Sequence, residues 1–128
     1  MDIKKLILSS LLLLVIDFIY LSSHSSYFRT VFKNIQKQYT INIVGVILSY
    51  IAIIVMLNYF IIQKYSKPSN RMLRNSFVLG FTTYLIYEAT NYATLKNWPV
   101  YMLIVDSFWG GILYATVSYL TLKLRTLI

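Results

Sequence analysis

The sequence predicts an all-α, polytopic membrane protein: an antiparallel four-transmembrane-helix bundle with a short amphipathic interfacial helix between spans one and two. Three observations lead there. Hydrophobic residues make up 58% of the 128 residues and charged ones 12%, with a mean hydropathy of +0.64, whereas an ordinary soluble domain carries about 25% charged residues. Four apolar runs come close to the roughly 20 residues a helix needs to cross the hydrocarbon core. The basic residues, which give a net charge of +8, sit in the gaps between those runs, as membrane-flanking positives do. They form no single stripe or arm that would fit a nucleic acid. The chain reads as one integral membrane domain, residues 1–128. Without cysteine it has no disulfide and no thiolate metal site.

The first run, residues 3–21 ("IKKLILSSLLLLVIDFIYL"), reads as a span rather than a cleaved signal. No small-x-small cleavage site follows it, and Asp17 interrupts the apolar stretch. In the next loop Phe28, Val31, Phe32, Ile35 and Tyr39 fall at helical spacing, while Arg29, Lys33 and Lys37 recur every four residues on another face. That pattern predicts an amphipathic helix, either lying in the interface or folded as a cap over the bundle end. The second run, 41–62, has no charge and only Asn42 and Asn58 near its ends. Its Gly45 and Ser49 would let another helix approach closely. A polar turn, "YSKPSNRML", follows, with Pro68 and Asn70 as helix breakers. The third run covers 76–95 and the fourth 100–122. The short Trp98-Pro99 turn between them makes these two spans antiparallel neighbours. Ser107, Gly111 and Ala115 form a small-residue seam on the fourth. The 12 tyrosines and two tryptophans largely gather near span ends, as an aromatic belt does. Helices are required because lipid offers no partner for an open backbone. Eight Lys and Arg residues flank one side of the bundle against four on the other, which puts both termini in the cytoplasm. The host is then a plasma or inner membrane, or a viral or host membrane.

The chain contains four acids, one of them Asp2 at the start. Asp17, Glu88 and Asp106 lie within three different spans, and at 1.5 Å rise per residue all three fall about 4–8 Å outside the midplane. A carboxylate facing lipid costs at least about 2.5 kcal/mol, so the three are expected to converge on the bundle interior, with Glu88 and Asp106 facing each other. No Lys or Arg lies in the apolar cores to pair with them. Either one carboxyl carries a proton near neutral pH or a cation occupies the gap. Asn91 and Thr94 follow Glu88, Tyr84 precedes it by one turn, Tyr20 follows Asp17, and Trp109 and Gly110 follow Asp106. The Asn, Thr and Tyr groups among these can bond a carboxylate or complete an oxygen shell. His24 is the lone histidine and reads as interfacial. No Ser/His/Asp set, histidine box or phosphate-binding glycine loop is present, so no catalytic residue, metal or cofactor is assigned.

The stretch "YEATNYATLKNW" followed by "DSFWG" resembles the predicted membrane proteins of domain-of-unknown-function family 2177. Members look like four-span bundles with an early aspartate in span one. They share a Tyr-Asp-x-Thr-Asn-x-Ala-Thr stretch ending in tryptophan, then Asp-x-x-Trp-Gly. The matching residues here are Asp17, Tyr87, Thr90, Asn91, Ala93, Thr94, Trp98, Asp106, Trp109 and Gly110. Glu88 departs from the pattern, keeping the charge on a longer arm. The resemblance implies the architecture and the site positions, and no activity.

These readings make Asp17, Glu88, Asn91 and Asp106 the candidate ligand- or ion-binding residues. Tyr20, Tyr84, Tyr87, Thr90, Thr94, Trp98, Trp109 and Gly110 support them. The expected function is non-enzymatic binding of a proton, cation or small polar ligand within the membrane, in transport or sensing. The alternatives are an enzyme acting on a lipid or isoprenoid, with the carboxyls as acid and base, or a structural subunit in which the acids are interhelical glue. The expected partner is the lipid bilayer. A homodimer would relieve the cramped size of four helices for transport.

Overall fold

The computed structural model describes residues 1–36 and 41–128. They form α1 (Ile3–Ser23), α2 (Ser25–Ile35), α3 (Ile43–Leu57), α4 (Asn70–Thr94) and α5 (Val100–Arg125), with no strand among the described residues. A π-helical turn, Asn58–Ile62, extends α3. Lys37 and Tyr39 of the expected amphipathic helix lie outside the described residues; the rest of that helix forms as α2.

Polar and apolar residues are distributed the reverse of a soluble protein's. The buried stripe of α1 is Lys5, Ser9, Leu13 and Asp17, one residue per turn, three of them polar. Its outward residues are Leu11, Val15, Phe18 and Ile19, each about 60–70% exposed. α3 likewise turns Ile43, Val44, Ile47, Leu48 and Ile51 outward. A soluble monomer rarely exposes an apolar area this continuous; a bilayer requires it. Among the described residues three helices are long and apolar enough to cross a membrane: Ile3–Ser23, Ile43–Ile62 and Val100–Arg125. α4 is long enough at 25 residues, but its polar side chains leave it outside that group.

Side-chain bonds fix the topology. Between α1 and α3 the bonded pairs are Lys5 with Ile62, Ser9 with Asn58 and Asp17 with Tyr50, numbers rising on one helix as they fall on the other. Asp17 with Trp109, Tyr20 with Asp106 and Asp2 with Arg125 give the same antiparallel order for α1 and α5. α4 lies antiparallel along α5, the most extensive helix pairing in the molecule. Both chain ends therefore meet at one end of the bundle, joined by the 3.0 Å ion pair of Asp2 and Arg125.

Closest approach between α4 and α5 occurs where Gly80 meets Gly110. A β-carbon at Gly80 would overlap the Gly110 carbonyl and the Tyr114 ring. The next residue, Gly111, takes the edge of Phe77, one turn before Gly80. Of the expected seam of Ser107, Gly111 and Ala115, Gly111 thus serves the bundle itself, and Gly110 beside it, outside that seam, makes the tightest contact. Gly45 and Ser49 do not play that part. Among the described residues nothing lies within 4 Å of a β-carbon at Gly45, and Ser49 bonds the Gly45 carbonyl of its own helix, because the first half of α3 stands away from α4.

At the end carrying the termini, packing is tight. Leu13, Leu57, Ile61, Ile62, Met72, Leu113, Val117 and Leu122 form the core. The π turn is held by Asn58, whose Nδ2 donates to Ser9 Oγ at 3.0 Å and to the Ile54 carbonyl at 2.9 Å. Lys5 Nζ donates to the carbonyls of Ile62 (3.1 Å) and Tyr65 (2.8 Å), supplying donors that the helix end lacks. Asn70 does not break helix as expected. It is the first residue of α4, with the hydroxyl of Ser69 accepting from the Met72 N–H as the cap. At the opposite end Asn97 adopts φ 68° in the short turn before α5, a left-handed conformation that Asn tolerates better than most residues.

Candidate functional site

At the end opposite the termini, α2 folds back over the bundle and packs Val31 against Trp98 and Met102. This is the cap arrangement of the two expected for the amphipathic segment, with Arg29 and Lys33 left exposed. Beneath α2, the separation of α3 from α4 leaves a cleft of about 720 Å³, within the roughly 300–1,000 Å³ typical of small-molecule sites. All three intramembrane acids border it: Asp17, Glu88 and Asp106.

The acids come from three helices at one level, and each is buried: Asp17 is 5%, Glu88 0% and Asp106 9% exposed. Each also receives an aromatic donor. Asp17 accepts from Trp109 Nε1 at 3.0 Å and, through its other oxygen, from the Tyr50 hydroxyl. Asp106 accepts from the Tyr20 hydroxyl at 3.3 Å. Glu88 accepts from Trp98 Nε1 at 2.9 Å. Tyr20 and Trp109 stack face to face, centroids 4.3 Å apart and planes 8° from parallel, so the Asp17 and Asp106 donors brace each other. Glu88 and Asp106 are direct neighbours. A chain of contacts therefore runs from Tyr50 on α3 through α1 and α5 to Glu88 on α4 and Trp98.

The arrangement supplies acceptors in excess of donors. Oε2 of Glu88 is fully buried and has no hydrogen-bond donor, although it lies beside a second carboxyl. Among the described residues the hydroxyls of Ser107, Tyr114, Ser118 and Thr121 on α5 also lack partners, but a buried neutral hydroxyl costs about 1–3 kcal/mol and an unpaired charge far more. Two adjacent carboxyls are tolerable when a proton is shared between them or a donor sits on the free oxygen. Among the described residues no three His, Cys, Asp or Glu side chains gather as a metal-binding set.

The other expected site residues divide into two groups. Tyr20, Tyr84, Tyr87 and Trp98 border the cleft. Trp109 bonds Asp17, and Gly110 gives room to the Tyr84 ring. Asn91 is partly buried but lies off the cleft. Thr90 and Thr94 are exposed, with their hydroxyls on the Ile86 and Thr90 carbonyls of their own helix. Two and six residues from Glu88, at about 100° per residue, they point away from it. Tyr50 and Thr83 were not singled out in the sequence. Tyr50 is one of 12 tyrosines and sits in an uncharged run with no motif around it. His24 ends α1, its ring 4.6 Å from that of Tyr20.

Lipid-facing apolar helices around a buried cluster of acids define a helical, multi-pass integral membrane protein. More particularly, the family model described as "Predicted membrane protein (DUF2177)" matches residues 3–123, and the chain belongs to that family. Neither a curated protein nor a solved structure matches it.

Proposed function

We propose that this is a four-span membrane protein whose Asp17, Glu88 and Asp106 cluster binds a proton or a hydrogen-bond-donating polar ligand inside the bundle. Its place as a fourth span is supported for α4 by its pairing along α5 and by a length of about 38 Å at 1.5 Å per residue. The excess of Lys and Arg at the end carrying the termini favours cytoplasmic termini. One observation carries the binding reading: the buried Glu88 Oε2 without a donor, at the edge of a cleft and beside Asp106. Acids serving only as glue would have their acceptors met by N–H and O–H groups of other side chains, as Asp17 does on both oxygens, whereas Glu88 Oε2 has only the neighbouring carboxyl of Asp106. At rest, a proton shared by Glu88 and Asp106 meets the need. A cationic ammonium head replaces that proton and releases it, which links occupancy to pH, whereas a neutral hydroxyl donates to the carboxyl pair with the proton still shared. Among the described residues no three His, Cys, Asp or Glu side chains gather closely enough to hold one metal ion, which gives the divalent-cation form less support.

Native mass spectrometry of the purified protein beside Glu88→Gln and Asp106→Asn tests this. A small molecule retained by the wild type and missing from both variants, each still helical and monodisperse, is the expected result. Both variants falling apart with nothing lost from the wild type would make the acids glue.

A further inference from the structure

The cleft has a mouth, a roof and a base of different chemistry, and together they restrict what fits. α3 and α4 touch where Thr83 donates to Met56 Sδ at 3.5 Å. Beyond that point they diverge, with open space at Gly45 and an exposed Ser49 that bonds only its own helix. This gap faces sideways, between α3, whose outer surface is apolar, and α4, which turns Ile86 and Tyr87 outward near it. The roof is α2, with Phe28 and Phe32 on the cleft and Phe32 packed edge-on to Trp98 at 5.6 Å. The base holds three carboxyls and the donorless Glu88 oxygen. Among the described residues no Lys or Arg borders the cleft.

We infer that the cleft takes a membrane amphiphile, entering sideways between α3 and α4, whose phosphate-free head donates hydrogen bonds to Glu88 and Asp106 through an amine or hydroxyl; the inference rests on the binding role proposed above. Charge complementarity sets the head. Acceptors without cations favour a group that brings N–H or O–H, and they repel a phosphate, whose oxygens would face carboxyls with no counter-charge. Ile53, Met56 and Met102 supply an apolar wall for the first part of a tail. The gap between α3 and α4 lets the remainder of the tail stay in lipid, so the ligand never leaves the bilayer completely.

The two tryptophans of the chain both bond site carboxyls, so intrinsic fluorescence reports on the site directly. In phosphatidylcholine nanodiscs, the protein is titrated with three amphiphiles brominated on the tail: a monoacylglycerol, a long-chain primary amine and a lysophosphatidate. Saturable quenching by the amine or the monoacylglycerol, reversed by its unbrominated form, is expected, and which of the two binds identifies the head. Ser49→Leu, which fills the mouth at an exposed position, and Glu88→Gln are each expected to weaken binding at least tenfold. Equal binding of the lysophosphatidate, or a Ser49→Leu protein with unchanged affinity, overturns the inference. Full competition by tail-less glycerol or ethanolamine also overturns it while leaving the carboxyl site standing. Saturable quenching by none of the three overturns it too. A native wild type that then carries no other small molecule and folds no differently as Glu88→Gln takes the binding role down with it.

Discussion

The two ends of the bundle handle their buried ionisable groups differently. At the end carrying the termini, Lys5, Ser9, Asn58 and Gln63 are joined to one another or to helix-end carbonyls, and an apolar core closes around them. At the other end, three acids accept from four aromatic side chains, Tyr20, Tyr50, Trp98 and Trp109, yet among the described residues one carboxyl oxygen is left without a donor beside an open cleft. A chain able to fold Lys5 into a satisfied position had the means to satisfy Glu88 as well. The contrast is one of charge: at the scaffold end the buried cation Lys5 is completed from within and only neutral hydroxyls such as those of Ser118 and Thr121 are left over, whereas at the cleft the group left over is a carboxyl oxygen.

The contrast is tested most severely along α3, which belongs to both ends. Leu57 is fully buried among the core residues, so Leu57→Ala is expected to cost about 2–5 kcal/mol through lost burial and the cavity left behind. Ile47, three turns earlier and 52% exposed, faces outward, and Ile47→Ala is expected to change stability by about 0.5 kcal/mol or less. Reversible unfolding in mixed detergent micelles reads both; similar losses would mean that the outer half of α3 is packed after all. Next comes Gly80→Val, whose branched side chain must displace the Gly110 backbone or the Tyr114 ring. Overpacking there is expected to cost about 1–3 kcal/mol and to separate α4 from α5, seen as a changed distance between spin labels on the two helices. Glu88→Gln should move stability least among the buried positions. The amide keeps an acceptor for Trp98 and brings a donor to Asp106, so the variant is expected to be as stable as the wild type or more so while losing its ligand.

Much of the site was legible because acids are so scarce. With only three inside apolar runs, their depth and the cost of facing lipid bring them together with no further information. The pairing of Glu88 with Asp106 follows from the short turn alone. Trp98 was read as part of that turn, and its bond to Glu88 depends on a side-chain direction that spacing does not encode. Thr94 looked like a neighbour of Glu88, but six residues carry it round the far side of α4, where a threonine bonds the carbonyl one turn back. The π turn is a tertiary product: Asn58 reaches Ser9 on α1, a partner 49 residues away. The open mouth at Gly45 was equally hidden, since a small residue reads the same whether a helix lies against it or not.

The smallest expected effect belongs to Asp2, at the opposite end from the cleft. Its carboxylate caps α1 by accepting from the Lys5 N–H at 3.2 Å and pairs with Arg125. The Lys5 N–H first, and the Arg125 guanidinium with it, hold the carboxyl below the ordinary aspartate value of 3.8. A lowered pKa stabilises the fold fully above that ordinary value, and the benefit is lost as pH falls through the lower folded-state value. Asp2→Asn keeps a capping oxygen and removes the charge. The wild type should therefore melt slightly above Asp2→Asn at pH 6, and the difference should close as the pH is lowered past 3.8. This exposed pair is screened, so 0.5 M salt should narrow the gap as well. A gap that survives both acid and salt would mean that Asp2 acts through its shape as a cap rather than its charge. The scaffold end would then owe nothing to ionisation, and pH sensitivity in this protein would belong to the carboxyls around the cleft.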